Sequence, residues 1–275
     1  MMRPRKLIRR IFELSGYTVR KLGSEPENQA GSPGQDPGGN NLVQNTDSGI
    51  YNQDGLQSIH NHEFIEDSKF CEAYDRGVSA VGADYQWHWR VHFGLWAAYS
   101  ASKLKGDFVE CGVNRGFLSS AIMEYLDWDS LDKTFYLLDT FTGIDERFVS
   151  DEERAGGILE RNESGFYTKT LDDVRENFSE WENIEIIIGP IPETLDTVKT
   201  DNVAFLHIDM NNAPPEVASF NYFWDRLVPG AFILLDDYAY KGYESQKVAM
   251  DAAASAKNVK IVSVPTGQGL LIKPA

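Results

Sequence analysis

Three aspartates in the second half of the chain have the type and spacing of metal ligands. Asp209 lies near the end of the apolar stretch 203–210, and Asp236 and Asp237 lie near the end of the stretch 231–238. If these stretches are neighbouring parallel strands, the three carboxylates meet and repel one another unless a cation or protons neutralise them. Such oxygen ligands suit Mg²⁺, which can bind two neighbouring hydroxyl oxygens and lower the pKa of one. The alternative is that one or two of these acids cap helices or bind a ligand's ammonium group.

A fourth acid, Glu110, opens the pattern E-x-G-x-x-x-G at residues 110–116. Gly112 and Gly116 allow a close backbone approach to a ligand, and a helix that follows offers free N–H groups. The dinucleotide fingerprint G-x-G-x-x-G has no leading acid, and an acid here repels a pyrophosphate but attracts an ammonium group. This difference favours S-adenosylmethionine over NAD. The glycines alone also fit an ordinary tight turn between strand and helix.

The next two apolar stretches extend the predicted cofactor site. Asp139 lies near the end of the apolar stretch 134–141. An acid at this position can accept hydrogen bonds from two ribose hydroxyls, or can simply cap its own turn. Phe141 is a candidate to cover one face of an adenine ring. Residues 189–191, which begin at the end of the apolar stretch 184–189, are candidates to line the adenine pocket. The complete predicted cofactor set is Glu110, Gly112, Asn114, Arg115, Gly116, Asp139, Thr140, Phe141, Gly189 and Ile191.

Asp209 and His207 are the predicted catalytic residues. Strand alternation places His207 on the same face as Asp209, which makes it a candidate general base, although a buried strand histidine is more commonly structural. His88 and His92 have the i, i+4 spacing of possible zinc ligands. Packing or solvent exposure is the favoured interpretation of this pair, because no H-E-x-x-H motif accompanies it.

Helical and strand patterns alternate through the region that must position these residues. The predicted strands are 107–113, 134–141, 184–189, 203–210 and 231–238; the predicted helices are 86–103, 116–125, 171–181, 193–199, 216–226 and 244–256; VKIVSV and GLLIKP form a closing hairpin. Short apolar runs separated by helices predict a parallel sheet that is covered on both faces. We therefore predict an α/β doubly wound, mostly parallel seven-stranded sheet with an antiparallel C-terminal hairpin. Ligands in such folds bind beyond the carboxyl ends of the strands.

Composition divides the chain into three parts. Residues 1–22 are rich in Lys and Arg with apolar residues on one helical face, which predicts an amphipathic helix on a membrane surface or a partner, or a poorly ordered tail. Residues 23–60 have few apolar side chains and are predicted to be a disordered linker. The folded domain is predicted at 63–275. The long connection 143–168 is a candidate lid, in which Phe166 and Tyr167 meet the acceptor.

Charge and cysteine content exclude some classes of protein. A net charge of -16 argues against nucleic acid as a partner, because phosphate binding requires clustered Lys and Arg. No apolar run is long enough to span a membrane, and the N-terminus does not have the pattern of a secretory signal. The two cysteines require no oxidising compartment. The prediction is a cytoplasmic protein, and a homo-oligomer remains open.

The motifs above resemble the macrocin and mycinamicin O-methyltransferases, which methylate sugar hydroxyls on macrolides. The resemblance covers about residues 63–275 and rests on GDFVECGVNRG, FYLLDTFTGI, LHIDM, LVPGAFILLDDY and PTGQGLLIKP. It implies a Rossmann-like fold in which Glu110 and Gly112 hold the methionine part of the cofactor and Asp139 holds the ribose. It also implies that Asp209, Asp236 and Asp237 bind a divalent metal. Catechol O-methyltransferase resembles the metal layout more distantly, and it has a lysine where this chain has Asn212.

Together these inferences predict methyl transfer from S-adenosylmethionine, assisted by Mg²⁺, to a hydroxyl of a sugar or glycosylated small molecule. The first alternative is an NAD-dependent oxidoreductase or epimerase, which requires a G-x-G-x-x-G turn after the first strand. The second is a non-catalytic binding module, in which loss of Glu110 and Asp139 is expected, yet both acids are present.

Overall fold

The computed structural model describes residues 49–151, 154, 157–160, 166–167 and 170–275. The predicted helix 1–22 and most of the predicted linker therefore lie outside the described residues. The chain divides into two compact units, Met1–His62 and Glu63–Ala275. None of the helices in the described ranges is long and apolar enough to cross a membrane.

A short hairpin lies within the stretch that was predicted to be disordered. In the first unit, β1 (Tyr51–Gln53) pairs antiparallel with β2 (Leu56–Ser58). Asp54 and Gly55 connect the strands, and both have a positive φ. An Asp-Gly turn with this geometry matches the right-handed twist of paired strands, so the local turn chemistry overrides the polar composition.

The second unit contains a seven-stranded sheet with the order β5-β4-β3-β6-β7-β9-β8. Its strands are β3 (Asp107–Cys111), β4 (Phe135–Asp139), β5 (Ile184–Ile188), β6 (Val203–Ile208), β7 (Leu227–Leu235), β8 (Val262–Ser263) and β9 (Gly269–Ile272). The five neighbouring strands β5, β4, β3, β6 and β7 pair parallel, whereas β9 pairs antiparallel with both β7 and β8. The predicted mostly parallel sheet with an antiparallel C-terminal hairpin is confirmed.

Six α-helices accompany this sheet in the described part of the chain. They are α1 (Ser68–Val81), α2 (His88–Ala101), α3 (Phe117–Leu126), α4 (Leu171–Phe178), α5 (Ala213–Trp224) and α6 (Glu244–Ala256). Helix α1 was not predicted. Its limits have sequence signals, because the Asp67 side chain accepts a hydrogen bond from the Phe70 N–H and Gly82 ends the helix in the left-handed conformation.

The predicted helix 193–199 is a correction. Only a single 3-10 turn, Leu195–Thr197, forms there. The segment runs for few residues after Pro192, and one turn is enough to bury both Leu195 and Val198 in the core. The apolar spacing at 193–199 therefore indicated which side chains are buried, but it did not indicate the length of the helical segment.

Two apolar clusters form the core, one on each face of the sheet. Phe108, Phe135 and Phe205 pack with helices α1 to α4 on one face. Leu138 and Leu206 belong to the cluster on the other face, with residues of α5 and α6. Because both faces are covered, the carboxyl ends of the strands are where polar side chains of the sheet can gather.

Candidate active site

The turn after β3 is constrained by the chain's own backbone. Gly112 has a φ of 91°, and a Cβ atom there would lie 1.8 Å from the Asp209 carbonyl oxygen. Gly116 has a φ of 82°, and a Cβ atom there would lie 2.3 Å from the Phe178 ring. Both glycines are therefore required by close packing as well as by a left-handed turn.

Asp139 ties this turn to the end of β4. Its Oδ2 accepts hydrogen bonds from the Val113 and Asn114 N–H groups, both at 2.8 Å, and its Oδ1 accepts one from the Phe141 N–H at 2.7 Å. The capping alternative is thus realised in the structure. Asp139 remains partly exposed, so contact with a ribose stays a prediction.

Other members of the predicted cofactor set lie around this turn. The Asn114 side chain donates to the Phe166 carbonyl oxygen, the Arg115 guanidinium to that of Val81, and the Thr140 hydroxyl to that of Gly143. Gly189 has a φ of 138°, and a Cβ atom there would lie 2.7 Å from the Thr194 methyl group, so packing accounts for this glycine.

Two predicted adenine contacts are buried in the structure. Phe141 is only 3% exposed and packs in the apolar cluster that contains Phe108, so packing accounts for this side chain and its contact with an adenine stays a prediction. Ile191 is 5% exposed and packs in the other cluster. Both side chains are large and apolar, and the core competes with a ligand for such groups.

Glu110 pairs with His207 across neighbouring strands. The His207 Nδ1 donates to the Glu110 Oε1 at 2.8 Å, and both side chains are buried. The other oxygen, Oε2, is buried without a hydrogen-bond partner in the described part of the chain. An unsatisfied buried carboxylate oxygen is costly, and an ammonium or hydroxyl group of a ligand would satisfy it.

His207 lies between two carboxylates. Its Nε2 is 3.8 Å from the Asp236 Oδ1. Burial by itself lowers the pKa of His207, but the contacts with Asp236 and Glu110 raise it to about 10. The imidazole is therefore already protonated at neutral pH, which disfavours the predicted role of general base.

The three aspartates that were predicted as metal ligands lie together at the carboxyl ends of β6 and β7. One oxygen from each of Asp209, Asp236 and Asp237 lies within 4.8 Å of the others. Burial, followed by repulsion from Asp236 and Asp237, raises the pKa of Asp209 well above its usual range. The cluster therefore favours a proton or a cation at this position.

Arg90 also belongs to this cluster, whereas the sequence suggested only that its helix helps to shape the acceptor pocket. Its Nη1 lies 2.5 Å from the Asp236 Oδ2 and 3.6 Å from the Asp237 Oδ1, and its side chain is buried. Burial alone raises the pKa of Asp236, but Arg90 and His207 hold it below its usual range. The available signal was that Arg90 is the single Lys, Arg, Asp or Glu in the sequence of α2.

Aromatic residues just before α2 lie close to Arg90 and to the connection 143–168. The rings of Trp87 and Tyr240 flank the Arg90 guanidinium at 5.5 and 5.2 Å. Tyr85 lies 4.5 Å from Trp87 and 5.8 Å from Phe166, measured between ring centroids. Phe166 belongs to the connection that was predicted to be a lid.

The two histidines of α2 are packing residues. His88 stacks on Tyr74 with ring centroids 4.2 Å apart, and His92 stacks on Phe64 at 3.9 Å. Burial lowers the pKa of both histidines. Within the described ranges, the aspartate cluster is the one group of side chains with the spacing of a metal site.

Comparison with known proteins places this arrangement in a family. The family model for macrocin-O-methyltransferase (TylF) matches residues 95–262, which is more than half of the chain. The chain belongs to the macrocin-O-methyltransferase family. The matched region includes Glu110, Asp139 and the three clustered aspartates, whereas Arg90 lies outside it.

Two curated relatives are similar to about half of this chain. One is the mycinamicin III 3''-O-methyltransferase of Micromonospora griseorubida, which is 27% identical over 48% of this chain and 55% of the relative. The other is the demethyldecarbamoylnovobiocin O-methyltransferase of Streptomyces niveus, which is 27% identical over 50% of this chain and 54% of the relative. The chain thus spans about half the length of the curated relatives it matches.

Two solved structures share the fold. The O-methyltransferase NovP superimposes with a TM-score of 0.58 at 21% identity, covering 68% of this chain and 80% of NovP. The calicheamicin methyltransferase CalS11 superimposes with a TM-score of 0.51 at 14% identity, covering 82% of this chain and 99% of CalS11. This macrocin-O-methyltransferase family member therefore has a methyltransferase fold, as the sequence motifs predicted.

Proposed function

We propose that this protein transfers a methyl group from S-adenosylmethionine to a hydroxyl of a sugar-containing small molecule. The observation that carries the proposal is the position of Glu110 beside the aspartate cluster, at the same sheet edge of a macrocin-O-methyltransferase family member. The names of two relatives support the acceptor class. One acts on mycinamicin III, and one from Streptomyces olivaceus acts on a rhamnosyl tetracenomycin.

The environment of Glu110 fits the amino-acid part of the cofactor. Its buried Oε2 has no hydrogen-bond partner among the described residues, and an ammonium group is a suitable donor to it. His207 holds the other oxygen, so the carboxylate is oriented before a ligand arrives. Asp139 orders the neighbouring turn and offers its remaining acceptor capacity to the ribose.

The charges of the aspartate cluster fit a divalent cation. When all three are ionised, Asp209, Asp236 and Asp237 carry three negative charges, of which Arg90 offsets one. The charge of a protonated His207 is balanced by Glu110. The remaining two charges equal those of Mg²⁺, a cation that prefers carboxylate oxygens. Bound by these three residues, Mg²⁺ would supply Lewis acidity that lowers the pKa of an acceptor hydroxyl.

The chain's own residues then have distinct tasks. Arg90 holds the carboxylates of Asp236 and Asp237 in place. Asp209 is one of the three proposed cation ligands and lies where we place the acceptor hydroxyl. His207 is already protonated, so we assign it the task of orienting Glu110 rather than that of a base. Positioning of the hydroxyl against the methyl group supplies much of the rate.

Three earlier expectations remain predictions. They are the cytoplasmic location, the homo-oligomer, and contact of residues 1–22 with a membrane surface. The predicted absence of a nucleic-acid partner rests on the net charge of -16 alone.

Calorimetry and methyl-transfer assays test the proposal. We expect the protein to bind S-adenosylmethionine, and we expect Glu110→Gln to weaken this binding while Glu185→Gln, at an exposed position of β5, leaves it unchanged. Labelled methyl groups should then reach members of a panel of glycosides and nucleotide sugars, and EDTA should lower and Mg²⁺ restore the rate. Binding of NAD instead of S-adenosylmethionine would support the oxidoreductase alternative, and binding of neither would support a non-catalytic module.

A further inference from the structure

The loop that follows β6 is held by buried polar side chains that the proposed mechanism does not use. Asn211 has a φ of 62°, in the left-handed region. Its Nδ2 donates to the Asp209 Oδ1 at 3.3 Å, and its Oδ1 accepts a hydrogen bond from the Tyr243 hydroxyl at 2.9 Å. A continuous path of two hydrogen bonds thus joins Tyr243, directly before α6, to the Asp209 carboxylate.

A second set of side chains holds the backbone of the same loop. The Glu216 Oε1 accepts hydrogen bonds from the Met210 N–H at 3.3 Å and from the Gln246 Nε2 at 2.7 Å. Glu216 lies in the first turn of α5, and Gln246 lies in α6. Glu216 therefore supports the backbone of the loop, including that of Asn211, in addition to the path through the Asn211 side chain.

Burial gives the Tyr243–Asn211 path its weight. Asn211 is 8% exposed and Tyr243 is 5% exposed. Buried polar groups are favourable when they are hydrogen-bonded, and a satisfied network restricts its members to one arrangement. Since these two hydrogen bonds lead to the Asp209 carboxylate, they restrict the orientation of that carboxylate.

We propose that Asn211 and Tyr243 are positioning residues that orient the Asp209 carboxylate toward Asp236 and Asp237. This inference rests on the proposed function, in which Asp209 acts at the acceptor hydroxyl. Side chains that hydrogen-bond to metal ligands commonly change cation affinity by about 10- to 100-fold when they are replaced. Asn211 and Tyr243 are placed to have this effect on a divalent cation at the aspartate cluster.

Tyr243→Phe removes one hydroxyl and keeps the ring. We expect about tenfold weaker binding of Mn²⁺ or Mg²⁺ by calorimetry, with unchanged affinity for S-adenosylmethionine. The matched control is Tyr238→Phe, because Tyr238 is equally buried and its hydroxyl contacts Asp251 and Lys247 instead of the loop. The control should leave cation affinity unchanged, and an equal loss in both variants would overturn the inference.

Asn211→Gly tests whether the two residues act through one path. Glycine tolerates the positive φ, so this variant removes the side chain without backbone strain. We expect weaker cation binding, and we expect Tyr243→Phe to have no further effect in the Asn211→Gly background. Additive losses in the double variant would show that the two residues act independently, which contradicts a relay.

A metal-free measurement separates this inference from the proposed function. In the cation-free protein, Tyr243→Phe should shift the NMR resonances of the Asn211 side-chain amide, whereas Tyr238→Phe should not. If the wild-type protein binds no divalent cation, metal assistance fails and the amide resonances alone decide the relay. If the cation binds but neither variant changes its affinity, the relay fails and the proposed function stands.

Discussion

The candidate site has two halves, which hold their acids in different ways. The proposed cofactor half contains Glu110, Asp139 and the turns that follow β3 and β4, and the cluster half contains Asp209, Asp236, Asp237 and Arg90. At the cofactor half, Asp139 is held by backbone N–H groups of the two turns that follow β3 and β4. At the cluster half, Asp236 is held by side chains from distant parts of the chain, namely Arg90 and Gln268. Arg90 precedes Asp236 by 146 residues. Asp139 is therefore held by the turns of two neighbouring strands, whereas Asp236 needs Arg90 from a distant helix, and Glu110 likewise needs His207 from a distant strand.

The halves also meet at one backbone contact. The Asp209 N–H donates to the Cys111 carbonyl oxygen at 2.8 Å, and the missing Cβ of Gly112 leaves room for the Asp209 carbonyl oxygen. The turn that follows β3 and the loop that follows β6 are thus packed directly against each other. Changes at Gly112 should disturb both halves, but a change to the Asp237 carboxylate should disturb only one.

The largest expected effect separates the halves through Asp237→Asn. The amide keeps the size of the side chain but removes one of the charges that a divalent cation needs. We expect cation-stimulated turnover to fall on the order of 1000-fold, which corresponds to about 4 kcal/mol. The affinity for S-adenosylmethionine should stay within about twofold of wild type, because the cofactor half keeps its own contacts.

Asp172→Asn serves as the control for this variant, because the Asp172 side chain is 95% exposed on α4. It should retain wild-type turnover. Full activity of Asp237→Asn would remove the cluster from the mechanism. Loss of cofactor binding in that variant would instead show that the two halves are not separable.

A smaller effect is expected where the halves meet. Gly112→Ala places a Cβ atom on the Asp209 carbonyl oxygen, so the backbone must shift. We expect the free energy of unfolding, measured by urea denaturation, to fall by about 3 kcal/mol or more. Gly82→Ala is the matched control, since Gly82 has a φ of 72° and open space around its missing Cβ.

The control variant should lose only about 1 to 2 kcal/mol, from left-handed strain alone. Equal losses at both positions would mean that the close approach to Asp209 does not constrain Gly112. The difference between the two variants therefore measures how tightly the halves are packed together.

The last prediction concerns Glu216 beneath the loop that follows β6, and its effect depends on pH. Burial is the main cause that raises its pKa to about 8. An unfolded chain releases this proton near pH 4.5, so between these values the folded protein holds a proton that the unfolded protein lacks. The contribution of Glu216 to stability is therefore present in full below pH 4.5 and is lost as the pH rises toward 8, by at most about 1.4 kcal/mol per pH unit.

Denaturation of Glu216→Gln at several pH values between 5 and 8 checks this sign. The variant should have a flatter dependence of unfolding free energy on pH than wild type, whereas Glu185→Gln should keep the wild-type slope. A wild-type protein that becomes more stable as the pH rises, with no change of slope in Glu216→Gln, would contradict the argument.

The sheet was predictable because its strands are short apolar runs with polar turns between them. Strands β3, β4, β6 and β7 are all within the predicted stretches or overlap them. Helix boundaries were less predictable, since Pro214 and Pro215 fit the first turn of α5 and start that helix before the predicted residue 216. The turn at 195–197 was predicted as a longer helix because apolar spacing reports burial and not element length.

The acids at the strand ends were predictable in the same way. Parallel strands share one carboxyl edge, so Glu110, Asp209 and Asp236 could be assigned to a common edge from their positions in the chain. Their partners could not be assigned. Phe141 and Ile191 show the same limit, because an apolar side chain beside a cleft can pack in the core or against a ligand.

The sequence by itself determined the sheet, the order of its acids and the family resemblance, because these follow from local pattern and strand direction. Only the tertiary structure decided that Arg90 neutralises part of the cluster, that His207 is locked between two carboxylates, and that Tyr243 reaches Asp209 through Asn211. Each of these contacts joins residues from separate elements. Packing sets their distances, and no spacing along the chain encodes such a distance directly.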